Sequence, residues 1–124
     1  MKLFNDGSPI YLQLRKHIEE RILSEILKAE DSIPSLRVMA QDYNLNPITI
    51  GNALSTLVEE GILYKKRGVG IFVSPGARQL IIQMRSQDFI VEKLKPTLRL
   101  AKQLELPKEQ LIDFIETVYG GSND

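Results

Sequence analysis

The chain has 124 residues, 43% of them apolar, and its 16 basic and 16 acidic side chains leave no net charge. A chain of this length buries roughly two-thirds of its unfolded surface, enough for one core and a small appendage. The lack of cysteine excludes disulfides, thiol nucleophiles and thiolate metal sites, and no apolar run approaches the roughly 20 residues of a transmembrane helix.

Residues 1–7 read as a short arm, without the apolar core of a signal peptide, so a cytoplasmic chain with no membrane contact is expected. Ser8 is a candidate N-cap and Pro9 suits a first helical position. Leu14, Ile18, Ile22 and Ile26 then recur every four residues and predict a helix over 9–28. Asp31-Ser32-Ile33-Pro34 breaks it. Ser35 caps a second predicted helix, 35–43, with Leu36, Met39, Ala40 and Tyr43 inward and Arg37 and Gln41 outward. Asn44-Leu45-Asn46 is a turn. Asn46 caps a third helix, 47–60, with Pro47 at its start and Ile50, Ala53, Leu54 and Leu57 inward. Gly61 is its left-handed stop. Ile62–Lys65 and Gly70–Val73 read as two short strands joined by a tight basic loop.

After Ser74-Pro75-Gly76 the pattern is helical again. Residues 77–94 form a helix disturbed near Pro96 and continued over 97–104. Leu80, Met84, Val91, Leu94, Leu98 and Ala101 follow a repeat close to 3.5 residues, with Gln87 in the gap. Pro107 opens a last helix to about Val118, with Leu111, Phe114, Ile115 and Val118 on one side and Gly120-Gly121 at its end. The fold class expected is mostly α with a small β-hairpin. A winged helix-turn-helix over residues 1–75 precedes a helical dimerisation region over 76–124.

Local charge matters more than the neutral total. No charged residue lies between Asp42 and Glu59, and from Ile62 to Arg78 every charge is positive: Lys65, Lys66, Arg67 and Arg78. Two helices joined by a short turn can place the second in a DNA major groove. The outward stripe of the third helix is Ile48, Thr49, Asn52, Ser55 and Thr56. Asn52 is able to pair bidentately with adenine, and Ile48 or the Thr49 methyl to touch a thymine methyl. Such a stripe alone is an ordinary polar surface, and a basic hairpin tip alone is an ordinary turn. Their succession in one motif favours double-stranded DNA as the partner.

At these residues the chain resembles the GntR family of bacterial transcription regulators. The resemblance runs in order from Pro9-Ile10-Tyr11-Leu12-Gln13-Leu14 through Ile33-Pro34-Ser35-Leu36-Arg37 and Asn46-Pro47-Ile48-Thr49-Ile50 to Arg67-Gly68-Val69-Gly70-Ile71-Phe72-Val73. The short tail resembles the YtrA-like subfamily. The resemblance implies a dimeric repressor of operator DNA. It implies DNA contacts from Arg37 on helix two, from Asn46 and Thr49, and from Arg67 and Gly68 at a wing tip in the minor groove. Together the expected DNA-binding residues are Ser35, Arg37, Asn46, Ile48, Thr49, Asn52, Lys65, Lys66, Arg67 and Gly68. Three departures stand out. Arginine, common in relatives at Pro47, is absent there. It is also absent from both Gly51 and Asn52, so the operator preference should differ. Glu25, Ala29 and Glu30 replace the usual glycines and proline after the first helix, which implies a longer or reshaped helix end.

The expected dimer interface is Leu80, Met84, Val91, Leu94 and Leu98; the alternative is that this seam packs back on the winged helix. A winged-helix module that binds protein would be expected to lose the basic wing. A ligand sensor would need a polar cluster among the C-terminal helices, and a small-molecule effector finds no support there. His17, the one histidine, has no second strong metal ligand near it in sequence. Asp6, Asp31 and Asp42 have no acid–base spacing. No metal, cofactor or catalytic site is expected.

Overall fold

The computed structural model describes Phe4 and residues 7–121. Of the expected arm, only Phe4 and Gly7 fall among them; the rest lies outside the described residues. Helix α1 spans Ile10–Leu23, α2 Leu36–Tyr43 and α3 Pro47–Glu59. Strands β1 (Leu63–Lys66) and β2 (Gly70–Val73) follow, then α4 (Ala77–Phe89), a π-helical turn over Ile90–Leu94, α5 (Lys95–Gln103) and α6 (Lys108–Tyr119). The chain divides into two compact units, residues 1–84 and 85–124.

In the first unit the four-residue spacing of α1 turns Leu14, Ile18 and Ile22 into one core. They meet Met39 from α2 and Ile50, Ala53, Leu54 and Leu57 from α3, with Ile62, Leu63 and Val73 from the hairpin and Ala77 and Ile81 from α4. Phe4, itself part of this core, forms a mutually edge-on aromatic cluster with His17 and Tyr43, with centroids 5.6–6.3 Å apart.

Helix α1 is shorter than its periodicity suggests. Pro9, rather than Ser8, is its N-cap and makes no side-chain cap bond; the Ser8 carbonyl instead accepts the Gln13 side-chain amide at 2.7 Å. The helix stops at Leu23, where the Ser24 hydroxyl donates to the Glu20 carbonyl and competes for the helical ladder. Glu25 then takes φ 63°, and the Leu27 N–H turns back to the Arg21 carbonyl. Ile26, expected inward, is 60% exposed as a result. The glutamates that replace the usual glycines therefore do not prolong the helix. Glu25 and Glu30 adopt the left-handed conformation themselves, at φ 63° and 73°.

Helices α2 and α3 follow the sequence closely. The Ser35 hydroxyl accepts the Val38 N–H at 3.2 Å, and Asn44 ends α2 in the left-handed region at φ 54°. Leu36 is the exception to the inward face: it is 41% exposed and leans toward α3 beside Gly51, where a methyl group would reach only ordinary contact, 3.9 Å from Leu36 Cδ2. The α3 face of Ile50, Ala53, Leu54 and Leu57 is wholly internal. Gly61, at φ 80°, closes the helix with bonds from its own N–H to Val58 and from the Ile62 N–H to Leu57.

The hairpin pairs Leu63 with Val73, Tyr64 with Phe72, Lys65 with Ile71 and Lys66 with Gly70. The first strand thus starts one residue later than expected and reaches Lys66, leaving Arg67-Gly68-Val69 as the loop. A third segment lines β2: Glu30 N–H donates to Val73, Ile33 N–H to Ile71, and Val73 N–H to Asp31, with an isolated bridge between Ser32 and Phe72. The expected chain break at 31–34 is thereby a sheet edge as well.

In the second unit the helical path continues through the π turn. The Lys95 N–H reaches back five residues to Ile90, and Phe89, Leu94 and Lys95 all keep helical angles. Pro96 supplies the cause, since its ring would clash with the carbonyl four residues earlier and it has no N–H to donate. Helix α5 ends with the Glu105 N–H on Lys102 and the Leu106 N–H on Ala101, and Glu105 sits at φ 61°. This is the Schellman arrangement with glutamate at the position glycine favours. Pro107 is the N-cap of α6. Of the side expected on that helix, Leu111 is half-buried, whereas Phe114, Ile115 and Val118 are exposed. Among the described residues, no helix is long and apolar enough to cross a membrane.

Candidate nucleic-acid interface

The interface is built around α3. Asn46 sets its start: the side-chain oxygen accepts the Ile48 N–H at 2.8 Å, which leaves the amide nitrogen outside the cap. With the apolar face locked in the core, the opposite face must point to solvent. Ile48 (72% exposed), Asn52 and Ser55 lie along it, with no charge among them. Thr49 is only half-buried, at the margin of this stripe. Thr56, expected outward, is half-buried too, and its hydroxyl donates to the Ala53 carbonyl at 2.8 Å. An uncharged stripe of amide, hydroxyl and methyl groups suits base edges, which offer donors, acceptors and thymine methyls.

The neighbouring elements of the same unit carry exposed charge. Arg37 is exposed on the first turn of α2, two residues after the Ser35 cap. Lys65, Lys66, Arg67 and Gly68 are exposed at the hairpin tip. Gly68 has φ 76°, and the Val69 N–H closes the turn on the Lys66 carbonyl at 2.9 Å. Only glycine adopts this angle without strain, and its missing side chain lets backbone approach a groove closely. The strand begins two residues after Gly61, so no slack separates α3 from the wing. All ten residues expected to touch DNA therefore belong to the first unit, and Thr49 alone among them is partly covered.

The expected dimer residues are distributed differently. Leu80 packs against the core of the winged helix and Met84 is half-buried. Val91, Leu94 and Leu98 are exposed in the second unit, as are Phe89, Ile90 and Leu100.

Three further groups act on this site and escaped the sequence pattern. The Arg15 guanidinium makes a two-pronged bond to Glu60, beyond the end of α3, and also bonds Glu19 at 3.0 Å. Both carboxylates push the arginine pKa up, the Glu60 hydrogen bond most. Tyr64 and Phe72 stack across the strands, with centroids 5.7 Å apart and planes 27° apart. The Tyr64 hydroxyl donates to Glu30 at 2.5 Å, and this bond raises the phenol pKa. The period-two placement of Tyr64 and Phe72 about a tight turn was a signal for that stack. Nothing local marks the Arg15–Glu60 pair, whose members are 45 residues apart.

Comparison with known proteins agrees with this geometry. The family described as bacterial regulatory proteins, gntR family, matches residues 10–73. The chain is 31% identical to the HTH-type transcriptional repressor YtrA of Bacillus subtilis, over 90% of this chain and 85% of that protein. A GntR-family transcriptional regulator of Bacteroides thetaiotaomicron is 29% identical, with a TM-score of 0.76 over 91% of this chain and 99% of its own. The DNA-binding domain of AraR, solved in complex with an operator, is 28% identical with a TM-score of 0.55, over 58% of this chain and 93% of that one. The winged helix, the short tail and these matches place the chain in the gntR family of bacterial regulatory proteins.

Proposed function

We infer that this chain is a sequence-specific double-stranded-DNA-binding transcription regulator that acts as a dimeric repressor in the cytoplasm. The observation that carries the reading is the pairing of a capped, uncharged outward stripe on α3 with a basic wing joined to it without slack. Residues 1–75 would supply the DNA-binding module and residues 76–124 the dimerisation region. Asn52 and Ile48 read base edges, with Thr49 at the margin. Asn46 acts through its amide nitrogen, and Ser35 lies at the N-terminus of α2, where backbone N–H groups favour phosphate. Arg37, Lys65 and Lys66 neutralise phosphates. Arg67 enters the minor groove, with Gly68 permitting its backbone to approach.

The second unit supports the dimer. Phe89, Ile90, Val91, Leu94, Leu98, Phe114, Ile115 and Val118 of this unit are exposed, and apolar side chains concentrated in this way favour an interaction surface. Leu80 contributes less than its place in the repeat suggests, because the winged-helix core already covers part of it. A protein-binding module would be expected to show an apolar or acidic α3 face; Asn52, Ser55 and the basic wing run against that reading. YtrA is a transcriptional repressor and the AraR domain binds operators, and both support the same assignment for this chain.

Selection of bound sequences from a random duplex pool is the test. Enrichment of a near-palindromic site, bound with a steep inverse dependence on salt, is the expected outcome. Salt-independent binding, or no enrichment above the starting pool, would refute the reading.

A further inference from the structure

The wing carries three consecutive bases, but the fold treats them differently. Strand register puts Leu63, Lys65, Ile71 and Val73 on one face of the hairpin and Tyr64, Lys66, Gly70 and Phe72 on the other. The first face is anchored by the core. On the second, the Lys66 ammonium lies 5.0 Å from the centroid of Phe72. Phe72 stacks on Tyr64, and the Tyr64 hydroxyl bonds Glu30. Glu30 in turn is fixed by its own N–H on Val73 and by a left-handed backbone. Among the described residues, neither the Lys65 nor the Arg67 side chain has a hydrogen bond or ion pair.

We propose that Phe72 is a positioning residue for DNA binding: through the Glu30–Tyr64–Phe72 stack it holds the Lys66 ammonium in place for a phosphate. The inference rests on the reading of residues 65–68 as a DNA-contacting wing. The chemistry is that of a cation over an aromatic face. One side of the ammonium faces the ring, and the N–H donors turned away from it remain available to an acceptor. A free lysine loses considerable side-chain freedom when it settles on a phosphate. Lys66 has lost part of that freedom before DNA arrives, so its contact is preorganised. The stack also ties the connector between α1 and α2 to β1 and β2, so the position of Lys66 is referred to the core rather than to the turn alone.

The test is a double-mutant cycle on a mixed-sequence duplex, read by fluorescence anisotropy over a range of salt, with thermal melts of each variant alone. Lys66→Ala is expected to weaken binding about threefold near physiological salt and to flatten the log–log salt slope by about 0.9. Phe72→Leu keeps an apolar side chain but removes the ring face. It is expected to lose about twofold in affinity with Lys66 present and nothing further in the Lys66→Ala background. A loss of stability alone would be the same in both backgrounds. Phe72→Trp, which keeps a cation-binding face even if the leucine variant folds poorly, should retain the wild-type slope. Additive losses from Phe72→Leu and Lys66→Ala, or a Phe72→Trp slope like that of Lys66→Ala, would overturn the proposal. If Lys65→Ala and Arg67→Ala flatten the slope and Lys66→Ala does not, the proposal fails while the DNA-binding wing stands. If none of the three flattens it, the wing reading itself fails.

Discussion

The guanidinium of Arg15 on α1 grips both carboxylate oxygens of Glu60 just beyond α3, with the Nη2 to Oε1 bond at 2.7 Å. The pair joins the first helix to the end of the helix assigned to the major groove, and the arginine also places positive charge near the C-terminus of α3. Glu19 supports the arginine from one turn along α1.

Arg15→Ala should lower unfolding stability by about 1–3 kcal/mol, because it leaves a partly buried carboxylate without its charged partner. Glu60→Gln should cost less, since an amide oxygen still accepts one of the bonds. Urea midpoints at neutral pH check both. Equal midpoints for Arg15→Ala and wild type would show that solvent screening cancels the pair.

Glutamate occupies three left-handed positions, at Glu25, Glu30 and Glu105. A residue with a Cβ is strained there by roughly 1 kcal/mol, and glycine is not. Glu25→Gly and Glu105→Gly should each stabilise the fold by up to about 1 kcal/mol, read as a rise in melting temperature. Glu30→Gly should gain less or nothing, because it also loses the bond from the Tyr64 hydroxyl. The reverse case is Gly51, inside α3 with space for a methyl group; Gly51→Ala should stabilise by about 0.5–1 kcal/mol.

Asn52 and Asn46 should separate base reading from helix capping. Asn52→Ala is expected to cost about 1–3 kcal/mol on the selected operator and little on random duplex, with an unchanged melting temperature. Asn46→Ala should lose about 1 kcal/mol of fold stability through its cap bond to Ile48, and lose operator affinity as well. Equal losses of Asn52→Ala on both duplexes would remove Asn52 from the base-reading set.

Assembly is tested where the apolar surface is open. Val91→Asp combined with Leu94→Asp should give monomers by sedimentation at micromolar concentration, with the melting of the winged helix preserved. Operator affinity should fall by about 10²–10⁴, the gain that linking two modules supplies. A double variant that still sediments as a dimer would move the interface away from these residues.

His17 makes stability pH-dependent. Burial against Phe4 and Tyr43 pushes its pKa below the ordinary 6.5, with Arg21 lowering it further and Glu20 opposing. The unfolded chain therefore binds the proton more tightly than the folded one. Stability is full above pH 6.5 and declines as pH falls through that value, levelling off below the folded-state pKa. His17→Phe should remove this part of the dependence. An identical pH profile for that variant between pH 7 and 5 would exclude His17 as the cause.

Much of this protein is written in local chemistry. Ser35, Asn46-Pro47 and Gly61 mark the limits of α2 and α3, because caps and left-handed stops are short-range interactions that few residue types satisfy. The three-four spacing of Ile50, Ala53, Leu54 and Leu57 fixes which face of α3 is inward, and so which residues are left open to solvent. The wing follows from a glycine turn between two apolar runs. Tertiary structure decided what depends on distant partners. It ended α1 at Leu23 although the apolar period runs on to Ile26, since the chain had to turn back and lay Asp31 and Ile33 along β2. It drew Leu80 into the winged-helix core, where a heptad count alone assigns it to the seam. It joined Arg15 to Glu60 and set Lys66 over Phe72 by way of Tyr64 and Glu30. Those contacts arise from the packing of elements far apart in the chain, and no window of the sequence contains both partners of the first or the whole of the second.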